Sequence, residues 1–210
     1  MKYHRVPLGP IQTNCYLLVN NDKECLIVDP GGEGKKLNQL IHKQQYKPQA
    51  VVLTHAHFDH IGGVDDVASH FSIPIYVHKK EKSWLKDPEV NGSTFFGLGE
   101  VTVQSDVTLF AGEGSTTIGS FSFELYETPG HSPGSVSLYF KEAELVISGD
   151  ALFEGSVGRT DLHDGNHEQL LKSIHTKLLV LPEETLVLSG HGAETTIGQE
   201  MDHNPFLNGF

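Results

Sequence analysis

The sequence predicts a layered α/β protein, with sheets covered by helices. Three observations predict it: strand-like apolar runs outnumber helical ones, amphipathic helical segments occur in both halves, and four strand-like runs end in His or Asp. The 210 residues are read as one domain, 1–210, long enough for a substantial core.

Taken in order, residues 14–20 and 24–29 alternate and branch as strands, and "EGKKLNQLIHKQQY" (33–46) is a helix that must stop before Pro48. Strand 50–54 leads to a helix over about 60–71 and a strand at 73–77. Residues 79–105 are polar and poorly periodic, and read as a helix followed by a long surface excursion. Within them Phe95 and Phe96 of "STFFGLG" (93–99) are expected to pack into the core, the other reading being an apolar lip. A second β-rich series covers 115–119, 120–127, 135–140 and 144–149, followed by an amphipathic helix at 166–181 and a strand at 185–190. Thr196 and Gln199 stand in capping-box spacing for a last short helix, with Pro205 beyond it. "GGEGKK" lacks the final residues of a phosphate loop and reads as a turn.

Charge narrows the function. The net charge is −12, from 15 Lys and Arg against 27 Asp and Glu. Phosphate-backbone binding therefore lacks its basic footprint, which excludes nucleic acid as the expected partner. "MKYHRVPLGP" has no apolar signal core and no run reaches membrane-spanning length, so a cytoplasmic protein away from membranes is expected. Cys15 and Cys25 fall on neighbouring strands. With an Asn21-Asp22 turn Cys15 would face Val28, and both thiols would stay reduced.

The chemistry collects at strand ends. "VVLT" ends in His55, His57, Asp59 and His60, "FELYETPG" in His131, "LVISG" in Asp150 and "LVLSG" in His191. With 13 His in 210 residues, a His-x-His-x-Asp-His run arises by chance in roughly two of a thousand such chains. We therefore read it as a metal-ligand set. Five imidazoles and two carboxylates, without thiolates, suit zinc, manganese or iron. Seven ligands exceed one tetrahedral ion. Two divalent ions, about 3.5–4 Å apart and sharing a carboxylate, would use them all and keep a reactive position open. The other histidines, His4, His42, His70, His78, His163, His167, His175 and His203, have no paired spacing and are expected at the surface.

"THAHFDH", "TPGHSPGS", "SGDALF" and "SGHG" resemble, in order and spacing, the motifs of the metallo-β-lactamase fold, above all the glyoxalase II (hydroxyacylglutathione hydrolase) branch, from about residue 12 onward. The resemblance implies a four-layer αββα sandwich. It implies that His55, His57 and His131 hold one metal, that Asp59, His60 and His191 hold the other, and that Asp150 bridges them. Asp29 of "LIVDPGG" matches the acid that orients metal histidines in that family. The implied reaction is hydrolysis of a small thiolester such as S-lactoylglutathione by a metal-bridging hydroxide, with zinc the first choice of metal and Asp59 able to take a proton. Secreted β-lactamases of the commonest type carry Cys and Arg where this chain has Asp150 and His60, and a signal peptide, which is not expected here.

Arg159 of "EGSVGRTDLHDG" occupies the place of a basic side chain that touches the thiol carrier, although it could instead pair with Asp161 or Asp164. The same Gly-Arg-Thr-Asp run resembles mononuclear-iron persulfide dioxygenases, the alternative reading. A ribonuclease and a non-catalytic metal-binding module are more distant ones. Glyoxalase II continues into a helical C-terminal domain, whereas only 19 residues follow His191, so a short single-domain form is expected.

Overall fold

The computed structural model describes residues 1–97 and 99–207, and its chain divides into two compact units, 1–111 with 117–121, and 112–116 with 122–210. Among the described residues no helix is long and apolar enough to cross a membrane.

The first unit carries a six-stranded sheet. Strands β1 (Lys2–Leu8), β2 (Thr13–Val19) and β3 (Glu24–Val28) pair antiparallel. Strands β4 (Lys47–Val52), β5 (Ile75–Val77) and β6 (Thr108–Leu109) then continue in parallel. Parallel pairing needs crossovers, which α1 (Gly34–Gln44) supplies between β3 and β4, and α2 (Phe58–Ile61) with α3 (Val64–Phe71) between β4 and β5. Leu37 and Ile41 of α1, one turn apart, bury with Val64 and Val67 of α3 against Ile27, Val51 and Ile75. Each such aliphatic side chain contributes about 1.5–3 kcal/mol on full burial.

Several expectations are corrected here. The β2–β3 loop has three residues, not two: the Asn20 amide donates to the Glu24 carbonyl at 3.0 Å, and Lys23 takes a left-handed φ of 62°. Asn20 Oδ1, accepting from the Asp22 and Glu24 amides, stabilises this loop. Register slides by one, so Tyr16 faces Val28 and Cys25 faces Val19. Both cysteines are buried thiols.

The single helix expected at 60–71 is two. Gly62 and Gly63 interrupt it because the chain there runs against the 30–32 loop; a Cβ on Gly62 would lie 2.6 Å from the Gly31 carbonyl oxygen. Among the described residues of 79–105 the helical element is one 3₁₀ turn, Trp84–Lys86, not a regular helix, and the excursion, exposed over much of its length, is anchored by buried side chains. Glu81, Trp84, Leu85, Asn91, Ser93 and Val103 are all buried, and the Asn91 side chain ties the segment by donating to the Trp84 and Val101 carbonyls. Phe95, by contrast, is 73% exposed and Phe96 38%, so they are not core residues. Leu98 of that segment lies outside the described residues. His78, expected at the surface, is buried.

The second unit carries β7 (Gly114–Ile118), β8 (Phe121–Glu127), β9 (Val136–Phe140), β10 (Leu145–Gly149), a small hairpin β11 (Leu152–Phe153) and β12 (Ser156–Val157), α4 (His167–Ser173), β13 (Leu186–Ser189), β14 (Thr195–Thr196) and α5 (Ile197–His203). Its sheet runs β14-β13-β10-β9-β8-β7; Thr117 and Ile118 of β7 and Phe121 of β8 are grouped with the first unit. Asn166 caps α4 by accepting from the Gln169 amide at 2.9 Å. Leu170 and Leu171 bury against Val146, Val187 and Ile197. The helix expected to reach 181 widens after Ser173 into a π turn, where Leu179 donates to the Ile174 carbonyl. Thr196 Oγ1 accepts from the Gln199 amide, the capping contact expected of its spacing.

Candidate metal centre

In the first unit β3 and β4 lie side by side and end together. Asp29, just past β3 at φ 49°, anchors to β4 through its own amide, which donates to the Val52 carbonyl. Its Oδ1 accepts from the Thr54 amide at 2.8 Å and its Oδ2 from the Thr54 hydroxyl at 2.6 Å. A hydroxyl has one proton to give. Thr54 Oγ1, having donated to Asp29, therefore accepts from His55 Nδ1 at 3.1 Å. His60 Nδ1 donates to the same Asp29 Oδ2 at 2.9 Å. One carboxylate thus holds the Nδ1 proton of two imidazoles, directly and through Thr54, and turns each Nε2 lone pair toward a prospective metal. One donor atom from each of Asp29, His55 and His60 lies within 4.8 Å of the other two.

His57 stands at the N-terminal boundary of α2, which delivers Asp59 and His60 one and two residues after Phe58. Its ring stands 4.8 Å from that of His55 and 5.6 Å from Trp84. Asp59 Oδ2 accepts from the Thr13 hydroxyl at 2.8 Å. His55, His57, Asp59 and His60 are all buried. A cavity of about 470 Å³ opens beside Asp59, lined by Gln12, Gly31, Glu33, Phe58 and Val101 among others.

In the second unit three strand ends supply His131 after β8, Asp150 after β10 and His191 after β13. His131 Nδ1 lies 2.7 Å from the Arg159 carbonyl oxygen. A carbonyl only accepts, so Nδ1 carries the proton and Nε2 the lone pair. Gly158 makes that contact possible, since a Cβ there would come within 1.9 Å of the Asp150 carbonyl oxygen. Asp150 Oδ2 sits 3.6 Å from His131 Nε2 and 3.5 Å from His191 Nε2. The Arg159 guanidinium is held in a fork by Asp161, at 2.7 and 2.8 Å, which pulls the Asp161 carboxyl down to about 2.

These separations test the fit of a metal. Asp150 to its two histidines spans 3.5–3.6 Å, and Asp59 Oδ2 lies 3.3 Å from His60 Nε2. All exceed an ordinary N–H···O bond, about 2.7–3.2 Å. Two ligands at about 2.0–2.2 Å from one tetrahedral ion stand about 3.4 Å apart. The donors are spaced as neighbours in a coordination shell, and burying carboxylates among imidazoles is costly without a cation. The residues fit the group.

Sequence reasoning missed Thr54, Thr13 and Glu81. Glu81 is fully buried, and its Oε2 accepts from the amide of Ala56, between His55 and His57, at 2.9 Å. The Thr next to His55 was a readable signal. Nothing local marks Thr13 or Glu81, whose partners are 46 and 25 residues away.

This fold and these strand-end donors define a metallo-β-lactamase superfamily protein: the superfamily's model matches residues 8–191, and the chain belongs to that family. Two relatives span it end to end. The "probable metallo-hydrolase YqgX" of Bacillus subtilis is 58% identical over 100% of this chain and 99% of its own length. The "hydroxyacylglutathione hydrolase GloC" of Haemophilus influenzae is 36% identical over 99% of each. Among solved structures, BLEG-1 B3 metallo-β-lactamase superposes with a TM-score of 0.97 at 55% identity, covering 99% of this chain and 100% of that one. TTHA1623, in a di-iron-bound form, gives 0.89 at 39% identity, covering 97% and 100%. The layered α/β sandwich expected from the sequence is the fold observed.

Proposed function

We propose that the protein is a metal-dependent hydrolase of a small thiolester, S-lactoylglutathione in type. In this reading His55, His57 and His131 hold one divalent cation, Asp59, His60 and His191 a second, and Asp150 both, with zinc the first choice and iron or manganese the others. The observation that carries it is the donor spacing of 3.3–3.6 Å with Nδ1 of His60 and His131 already engaged. Likeness to GloC supports the thiolester, and likeness to a di-iron-bound structure supports two ions.

When bound, such ions supply a solvent nucleophile at neutral pH and polarise the acyl carbonyl. The chain's own residues do the rest. Asp29 and Thr54 keep His55 and His60 in one tautomer, the Arg159 carbonyl does so for His131, and Asp59, steadied by the Thr13 hydroxyl, takes the proton released as water adds. A thiolate leaves without acid help, so no further donor is required. Arg159 would meet an anionic thiol carrier by exchanging Asp161, which now holds it. We place the reaction in the cytoplasm, with a small molecule as the only partner, and read the chain as one catalytic domain.

A second reading is hydrolysis of a β-lactam amide, favoured by the 55% identity with BLEG-1. Metal content and three assays separate the readings. Two ions per chain with anaerobic cleavage of S-lactoylglutathione, abolished by chelation and restored by metal, is the expected result. Turnover of a β-lactam but no thiolester would replace it with the second reading. One iron per chain, with oxygen consumed on a thiol persulfide, would overturn hydrolysis altogether.

A further inference from the structure

We propose that Phe58, Phe96 and Phe95 form the wall of an acyl subsite, so that the preferred substrate is a thiolester of a bulky apolar acid rather than of lactate. The inference rests on the thiolester reading above and names the class of acyl group. Phe58 immediately precedes Asp59, and both line the cavity of about 470 Å³. That volume is within the range of about 300–1,000 Å³ usual for a small-molecule site. From Phe58 a row of aromatic rings leads out toward solvent. Ring centroids of Phe58 and Phe96 stand 5.2 Å apart, and those of Phe96 and Phe95 also 5.2 Å. Exposure rises along the row, from 5% to 38% to 73%. Rings attract one another at separations of about 4.5–7 Å, so an apolar group laid on Phe96 and Phe95 extends an array already in place.

The array is anchored to the cavity. The Phe58 amide donates to the Asn91 carbonyl at 3.1 Å. Asn91 Nδ2 donates to the Val101 carbonyl at 2.8 Å, and the Val101 amide donates to Ser93 Oγ at 3.1 Å. Val101 is itself a cavity residue. The stretch that carries Phe95 and Phe96 is therefore tied at both ends to the wall that Phe58 forms. Gly92 turns the chain beneath the rings at φ 86°, where a Cβ would lie 3.7 Å from Phe58 and 3.8 Å from Phe96. Exposed aromatic surface beside a polar cavity marks a binding site.

Charge decides which half of the substrate fits. Among the described lining residues the ionisable ones are Glu33 and Asp59, both acidic, and Gln12 is neutral. Lys36, which pairs with Glu33 at 3.1 Å, is not among them. An anionic thiol carrier is repelled by these carboxylates, whereas an uncharged acyl chain gains by leaving water. Asp59 is the group to which we assign the proton of the attacking water, so the acyl carbon comes beside it and the acyl substituent beside Phe58. A lactoyl group has only one methyl to offer this wall.

The test uses the full chain loaded with metal. Glutathione thiolesters with lactoyl, hexanoyl and phenylacetyl groups are compared by kcat/KM, and the free acids acetate, hexanoate and phenylacetate by calorimetry. We expect hexanoyl and phenylacetyl to be favoured over lactoyl by about tenfold or more, and their acids to bind more tightly than acetate. The double variant Phe95→Ala/Phe96→Ala should lose most of both preferences and keep the parent melting temperature, since both side chains are exposed. Val180→Ala, which trims an apolar side chain 68% exposed elsewhere, should keep them. Selective binding of the bulky acids with no thiolester cleaved supports the subsite and removes only the thiolester reading. No preference for the bulky groups, or one unchanged in the double variant, overturns the subsite, and any cleavage then leaves that reading standing.

Discussion

Asp29 Oδ2 and His60 Nδ1 stand 2.9 Å apart, joining the end of β3 to the end of α2, while Asp29 Oδ1 takes the Thr54 amide at 2.8 Å. Removing the charge should loosen metal and spare the fold. Asp29→Asn should weaken metal retention by about 10–100-fold, read as metal per chain after dialysis against a mild chelator. Unchanged retention would rule out the orienting role.

Glu81 supports the same stretch of chain after β4 through the Ala56 amide. Glu81→Ala buries that N–H without its acceptor, at a cost of about 1–3 kcal/mol, visible as a lower denaturation midpoint. Glu81→Gln keeps an acceptor and should cost less. Equal losses would mean that the carboxylate charge, not the hydrogen bond, is what the site needs.

Gly158 bears on Asp150 and His131 together. A methyl group there meets the Asp150 carbonyl oxygen at 1.9 Å and the His131 Cβ at 3.3 Å, so the backbone must move. Gly158→Ala should destabilise by about 1–3 kcal/mol and break the His131–Arg159 contact. Wild-type melting temperature and metal content would contradict the packing described.

Asp59→Ala should reduce turnover by about 10²–10⁴-fold with a smaller change in KM, as expected for a group that handles a proton in the transition state. Thr13→Val, which removes only the 2.8 Å hydrogen bond to Asp59, should fall between that variant and the parent. An equal loss in both kinetic constants for Asp59→Ala would leave it a ligand alone.

Burial pushes the Cys25 thiol up to about 12, and burial, then Asp29 and then Cys25, raise Cys15 well above its ordinary value. The folded chain keeps both protons where an unfolded one releases them. This stabilisation is complete below the ordinary value of 9.0 and is lost as pH rises toward 12. At pH 8 a thiol reagent should label neither cysteine until denaturant is added. Rapid native labelling would show that these strands open.

Much of the candidate site was legible because its signal is local. His55, His57, Asp59, His60, His131, Asp150 and His191 each come after an apolar strand-like run, and a rigid strand end is where a polar donor can be held in place. The hairpin register was not. It turned on whether Lys23 takes a left-handed conformation, a difference that Asn20's side chain decides by capping two amides. Residues 79–105 hid their buried anchors for a related reason: an aperiodic segment is pinned through individual side chains such as Asn91, which leave no periodic trace.

By itself, then, the sequence determined the types of donor, their attachment to strand ends and the layered fold, all set by runs of apolar residues and what stops them. Tertiary structure alone decided the partners: Asp29 with Thr54 and His60, the Arg159 carbonyl with His131, Glu81 with Ala56, and His42 with His70. Hydrogen bonds and close contacts depend on distances of tenths of an ångström between residues 25 to 31 positions apart in all of these pairs. Only packing of the whole chain sets such distances.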